Sequence, residues 1–106
     1  MSTLSRFHWD AGNLAKCQEH GVSTDEIEQA LDADPFIVPD YAHSHDEDRH
    51  IAVGRNSSGR PIFVVFTLRM IGERELVRPI SARYMHRKEI EQYEQDGRQE
   101  GPGTED

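Results

Sequence analysis

The residues best suited to chemistry are concentrated in residues 78–94, RPISARYMHRKEIEQYE, which collect Arg78, Arg83, Tyr84, His86, Arg87 and Lys88. A guanidinium stays charged at any working pH and its planar fork matches two phosphate oxygens, while an imidazole titrates near neutrality. Such a set can cleave a phosphodiester by acid–base catalysis. A base takes the proton of a neighbouring hydroxyl, cations stabilise the phosphorane, and an acid protonates the leaving oxygen. Arg83 and Arg49 suit the cationic role and His86 the acid or the base; Glu47 is the alternative base. Arg55, Arg78, Lys88 and Tyr84 are the supporting phosphate-binding candidates. The competing reading of each arginine is a surface ion pair, which contributes little.

These residues need a frame. The pattern predicts an antiparallel meander over residues 49–83. Arg49, Ile51, Val53 and Arg55 alternate with His50, Ala52 and Gly54, then Asn56-Ser57-Ser58-Gly59 supplies a turn and residues 60–69 return. Residues 61–66 are apolar on both faces, which predicts a central strand covered on each side. Residues 76–82 read as the next strand, with Ile80 and Ala82 in the core and Pro79 marking an edge, a bulge or a break in pairing. The final helix, residues 86–94, has a thin stripe of His86, Ile90 and Tyr93 and places His86 exposed at its start.

Ahead of the meander, Phe7 to Trp9 reads as a short strand entering a helix capped by Asp10 over residues 11–19, with Leu14 and Cys17 facing the core and Gly21 closing the turn. That assigns Cys17 to packing and His20 to a helix terminus, the latter outweighing a catalytic role. Ser23-Thr24-Asp25-Glu26 is a capping box, flanked by the staple pair Val22 and Ile27, and Ile27, Ala30 and Leu31 form the buried stripe of a second helix ended by Asp34-Pro35. Phe36-Ile37-Val38 is a short strand closed by Pro39. His43, His45, Asp46, Glu47 and Asp48 tempt a metal reading, but histidines two apart without an established ligand pattern favour a solvated loop. No metal or cofactor is expected.

The chain of 106 residues fits one domain, expected over residues 1–94, with an acidic, disordered tail at 95–106. The lone cysteine excludes an internal disulfide, no apolar run approaches a membrane span, and residues 1–10 lack the apolar core of a signal peptide. The cytoplasm is the expected location. The net charge of −8 opposes nucleic-acid binding only if it is spread evenly. It is not. Residues 1–48 carry two basic and eleven acidic side chains, residues 49–88 nine and two, and residues 89–106 one and seven.

From Phe7 to about Glu94 the chain resembles the BrnT family of ribonuclease toxins from type II toxin–antitoxin modules. The resemblance is carried by Phe7-x-Trp9-Asp10, Asn13, His20-Gly21-Val22-Ser23, Glu26, the run from His43 to Arg49, Ile51-Ala52-x-Gly54-Arg55, Gly59-Arg60, Val65-x-Thr67-x-Arg69, Arg78-x-Ile80-Ser81-Ala82-Arg83, Lys88-Glu89 and Tyr93. It implies a RelE-like α+β fold: a central antiparallel sheet, two N-terminal helices and one C-terminal helix. It also implies metal-independent RNA cleavage, growth arrest, and neutralisation by a small DNA-binding antitoxin encoded by the neighbouring gene, whose complex sets the oligomeric state. The alternative from a different class is a non-catalytic module whose basic sheet face binds nucleic acid or an acidic protein. In a third reading the acidic helices keep the chain off nucleic acid until a partner rearranges it.

Overall fold

Period-two runs of β-branched and aromatic residues build a sheet, and two capped helical segments cover one side of it. The computed structural model describes residues 6–43 and 47–92. Strands β1 (Phe36–Pro39), β2 (Arg49–Arg55), β3 (Pro61–Ile71) and β4 (Arg74–Tyr84) form an antiparallel meander in the order β1-β2-β3-β4. Helices α1 (Ala11–Cys17) and α2 (Thr24–Asp32) precede it, and a 3₁₀ turn at Tyr41–His43 follows β1. Helix α3 runs from residue 87 to residue 92, the last described. Among the described residues the fold is therefore α+β, with a four-stranded antiparallel sheet and three α-helices. The tail expected at 95–106 lies outside the described residues, as do His45 and Asp46.

Both early helices start where their caps dictate. The Asp10 carboxylate accepts the amides of Gly12 and Asn13, and the Asn13 side-chain oxygen accepts the amide of Asp10. Ser23 and Glu26 exchange the expected reciprocal bonds at 3.0 and 3.1 Å. Gly21, at φ 86°, takes the left-handed turn after α1. Helix α1 is shorter than its pattern suggests and buries Asn13 and Cys17, whereas Leu14 is 40% exposed. The reason is Asn13, whose amide donates to the carbonyls of His8 and Pro79 and so turns the 13/17 face inward.

Register separates the two faces of the sheet. Ile37, Ala52, Val64 and Ala82 lie side by side, as do Phe36, Val53, Phe63 and Arg83. The first row turns toward the helices, where Ala52, Val64 and Ala82 join Cys17, Val22, Ile27, Ala30 and Ile62 in the core. Helix α2 approaches β2 so closely that a Cβ on Gly54 would lie 2.1 Å from the Ala30 carbonyl oxygen; only glycine fits.

Among the described residues the other face is open along its middle and lower part, while at its upper end Met85 and the α3 residues Glu89 and Gln92 stand over Phe36, Ile51, Val53 and Phe63. β3 is central: Ile62, Val64 and Phe66 are buried under the helices, while on the other side the described residues leave Phe63 and Val65 half-buried as the floor of clefts. An apolar second face, usual for a doubly covered strand, here lines a groove. Pro79 sits at a bulge, because Val65 pairs with Ser81 and Phe66 with Pro79, leaving Ile80 out of register. Ile80 is consequently half-buried beside that groove and not in the core.

The sheet also sorts the charge. Acidic Asp25, Glu28 and Asp32 belong to α2 on the covered side, where Arg6 and the Trp9 indole bind Asp32 and Glu28. Arg49, Arg69 and Arg83 fall on open-face positions by the period-two rule. No helix among the described residues is long and apolar enough to cross a membrane.

Candidate functional site

At the upper end of β4 the strand passes into α3 and a cleft of about 370 Å³ opens, lined by His20, Arg60, Arg83, Tyr84, Met85 and His86. Arg83 gives both terminal nitrogens to Glu89 at 2.7 Å each, and Glu89 also accepts the amide of His86 at 2.9 Å. Glu89 thereby caps α3 and pins it to the sheet. Hydrogen bonding from Arg83 holds the Glu89 carboxyl at a pKa of about 2, and the same contact raises that of Arg83. The Arg83 guanidinium also stands 4.6 Å from the Phe63 ring centroid. A guanidinium has five N–H donors, so a phosphate can share Arg83 with Glu89.

Tyr84 lies across the cleft, its hydroxyl 2.9 Å from both Glu26 oxygens, while Arg60 stacks on its ring at 3.6 Å. The Glu26 contact pushes the phenol pKa up, which keeps Tyr84 protonated and suits it to donate. The Ser23 amide, with Asn56 and Tyr84, holds Glu26 below the usual carboxylate range. His86 is exposed at the start of α3, and His20 is exposed on the turn after α1.

A second polar cleft, about 200 Å³, lies toward the other end of β4 and is lined by Lys16, Glu47, Arg49, Arg69, Arg78 and Ile80 together with the start of α1. Arg69 pairs with Glu47 at 3.2 Å, both partly exposed. Arg78 is tied down more firmly. Its side chain is 13% exposed, donates to both Asp10 oxygens at 3.0 and 3.1 Å, and lies 3.0 Å from His8 Nδ1. An arginine only donates, so that nitrogen accepts. Arg78 holds the Asp10 carboxyl at a pKa of about 2.

The sequence candidates thus fall into two groups. Arg83, Tyr84 and His86 share the junction cleft; Arg49, Glu47 and Arg78 share the other. Arg83 pairs with Phe63 and Arg49 with Thr67, four residues apart on β3, or about 13 Å at the usual strand rise. Arg55 donates to the Gly59 carbonyl and closes the turn after β2, and Lys88 is exposed on the first turn of α3, away from the residues lining the cleft. His20, which the sequence assigns to a helix terminus, and Arg60, which it offers only within the family resemblance, also line the junction cleft. His20 reaches the site because α1 runs beside β4, with Asn13 at Pro79 and Gly21 at Tyr84, and Arg60 because β3 pairs Ile62 with Tyr84, juxtapositions no local pattern encodes. Cys17 is fully buried, and burial pushes its thiol to a pKa of about 11, so it is packing. No group of three or more metal-ligating side chains occurs among the described residues.

Together these features define a small α+β protein with an open, cation-lined sheet face and imidazoles at a strand-to-helix junction. The chain belongs to the BrnT family, ribonuclease toxins of type II toxin–antitoxin systems, whose model matches residues 9–89. Membership implies a cognate antitoxin as partner. A search of curated proteins finds no match. The matched span takes in both clefts and stops at Glu89, the residue that fastens α3.

Proposed function

We propose that this chain is a metal-independent endoribonuclease whose reaction takes place in the junction cleft. One observation carries the reading: His20, His86, Arg60 and Arg83 line a single cleft beside a protonated phenol. One neutral imidazole takes the ribose 2′-OH proton. The 2′ oxygen attacks phosphorus, Arg60 and Arg83 balance the added charge on the phosphorane, and the other imidazole, as imidazolium, protonates the departing 5′ oxygen. The products are a 2′,3′-cyclic phosphate and a 5′-hydroxyl. Base, acid and phosphate clamp all come from side chains, so the sequence of steps needs no metal. Arg49 and Glu47, on the same open face, act in substrate binding at the far end.

In this reading the fold is RelE-like, the protein acts in the cytoplasm, and cutting RNA arrests growth until a DNA-binding antitoxin from the neighbouring gene covers it. The test is purified protein with a structured RNA in EDTA. Wild type should cut and leave cyclic phosphate ends, and Arg83→Ala and His86→Ala should not. Dependence on added metal, or full activity in both variants, overturns the assignment. Expression alone should arrest growth, and co-expression with the neighbouring open reading frame should restore it.

The second reading, a non-catalytic module binding nucleic acid through the same face, draws on one observation: Arg83 and Tyr84 are already engaged by Glu89 and Glu26. RNA binding that weakens steeply with salt and is never followed by scission would favour it.

A further inference from the structure

The second polar cleft runs on into a third, about 250 Å³, whose floor is Ile51, Phe63, Val65 and Ile80 and whose rim holds Lys16 and Arg49. Lys16, Arg49 and Ile80 line both this cleft and the one beyond it, and Phe63, under the Arg83 guanidinium, marks its junction end. The sheet face therefore carries a groove that runs from Lys16, Arg49 and Arg69 up to Phe63, where the Arg83 guanidinium stands over the ring. It has cations at each end, an apolar floor and one half-buried aromatic ring.

From this we infer that Lys16, Arg49 and Arg69 form a second phosphate subsite, and that the groove takes single-stranded RNA spanning several nucleotides. The inference rests on RNA being the substrate of the junction cleft. The distance from Arg83 to Arg49 along the sheet, four strand positions, is covered by an extended strand in a few nucleotides. An unpaired strand also exposes its bases for stacking, which an aromatic ring in a cationic groove rewards whatever the sequence, whereas a duplex hides them.

The cations are not equally available. Arg78 is excluded, since Asp10 holds its fork and its side chain is largely buried. Arg69 meets Glu47 in a pair whose side chains are 39% and 37% exposed, a contact weak enough for a phosphate to replace. Lys16 is exposed on the last turn of α1, where its flexible stem reaches over the groove. The carboxylates nearby, Glu47 and the buried Asp40, limit the net positive charge. The subsite should thus add affinity in modest steps.

The experiment is fluorescence anisotropy with labelled, uncleavable 2′-O-methyl oligonucleotides: a single-stranded dinucleotide, a single-stranded octanucleotide and a duplex of that length. Wild type should bind the octanucleotide roughly tenfold or more tighter than the dinucleotide, and tighter than the duplex. Lys16→Gln with Arg69→Gln should erase most of that gain and flatten the salt dependence by roughly 0.7 log units per lost phosphate contact. Dinucleotide binding should not change. Phe63→Ala should weaken octanucleotide binding by roughly tenfold. Equal binding of the two single strands, a double variant that matches wild type, or a duplex bound as tightly would overturn the inference. A protein that cuts RNA without the length effect overturns the subsite alone. One that shows the length effect but leaves cleavable RNA intact overturns the proposed function alone.

Discussion

Arg78 and Arg83 stand at opposite ends of the same stretch of β4, and each grips a carboxylate with both terminal nitrogens. Their sequence neighbourhoods look alike, and both carboxylates are held at a pKa of about 2. Their surroundings differ. Arg78 is 13% exposed and meets His8 and the capped start of α1; Arg83 is 33% exposed in a cleft with two histidines, a tyrosine and a second arginine. The same ion pair is thus a structural fastening in one place and, under the proposed function, part of the reactive site in the other. What separates them is solvent access and the company of titratable groups, not the pair itself.

The largest effect should come at the upper end. Arg83→Ala should lower RNA scission by roughly 10²–10³-fold, as for loss of one donor to a developing oxyanion, and His86→Ala by roughly 10²–10⁴-fold. Denaturation midpoints should move little, since the Arg83–Glu89 contact is partly exposed. If instead these variants unfold and the residual folded protein cuts normally, the two arginines have been assigned the wrong way round.

Next comes Asn13, which is buried and donates to the carbonyls of His8 and Pro79. Asn13→Ala should cost about 1–3 kcal/mol of stability by leaving buried acceptors unpaired, measured by urea unfolding. The rate per folded molecule should stay close to wild type. Arg78→Ala should follow with a fall of several degrees in melting temperature and less than about a tenfold change in scission.

The smallest effect is on pH dependence. Both carboxylates have folded pKa values below their ordinary 4.5 and 3.8, so the stability they add is complete above those values and is lost as pH falls toward about 2. Wild type should lose stability between pH 5 and 3, and Glu89→Gln should lose less over that interval because it has no carboxylate to protonate there. Urea midpoints at the two pH values decide the matter, and parallel slopes would mean that Glu89 is not coupled to Arg83 in solution.

Much of the scaffold was legible from local chemistry. The caps at Asp10 and Ser23, the turn at Gly21, the meander and the irregularity at Pro79 all arise within a few residues of each other, where propensity and hydrogen-bonding geometry decide. Half of the junction cleft was equally legible, since Arg83, Tyr84 and His86 are neighbours in sequence. Errors came where a long-range contact overrode a local pattern. Leu14 is outward because Asn13 reaches Pro79, and Ile80 leaves the core because the bulge shifts its register.

By itself, then, the sequence determined the types of the longer elements, the family and the concentration of cationic residues in the sheet region, all of which depend on patterns a few residues long, whereas the strand expected at Phe7 to Trp9 is only an isolated bridge from Phe7 to Val77. Only the tertiary structure decided that the acids of α2 and the arginines of the groove face lie on opposite sides of one sheet, that Arg49 and Arg83 sit at opposite ends of a groove, and that Lys16 lines this groove while His20 and Arg60 line the junction cleft. Those facts follow from the packing of α1 along β4 and from strand register, and contacts between residues far apart in the chain leave no periodicity to read.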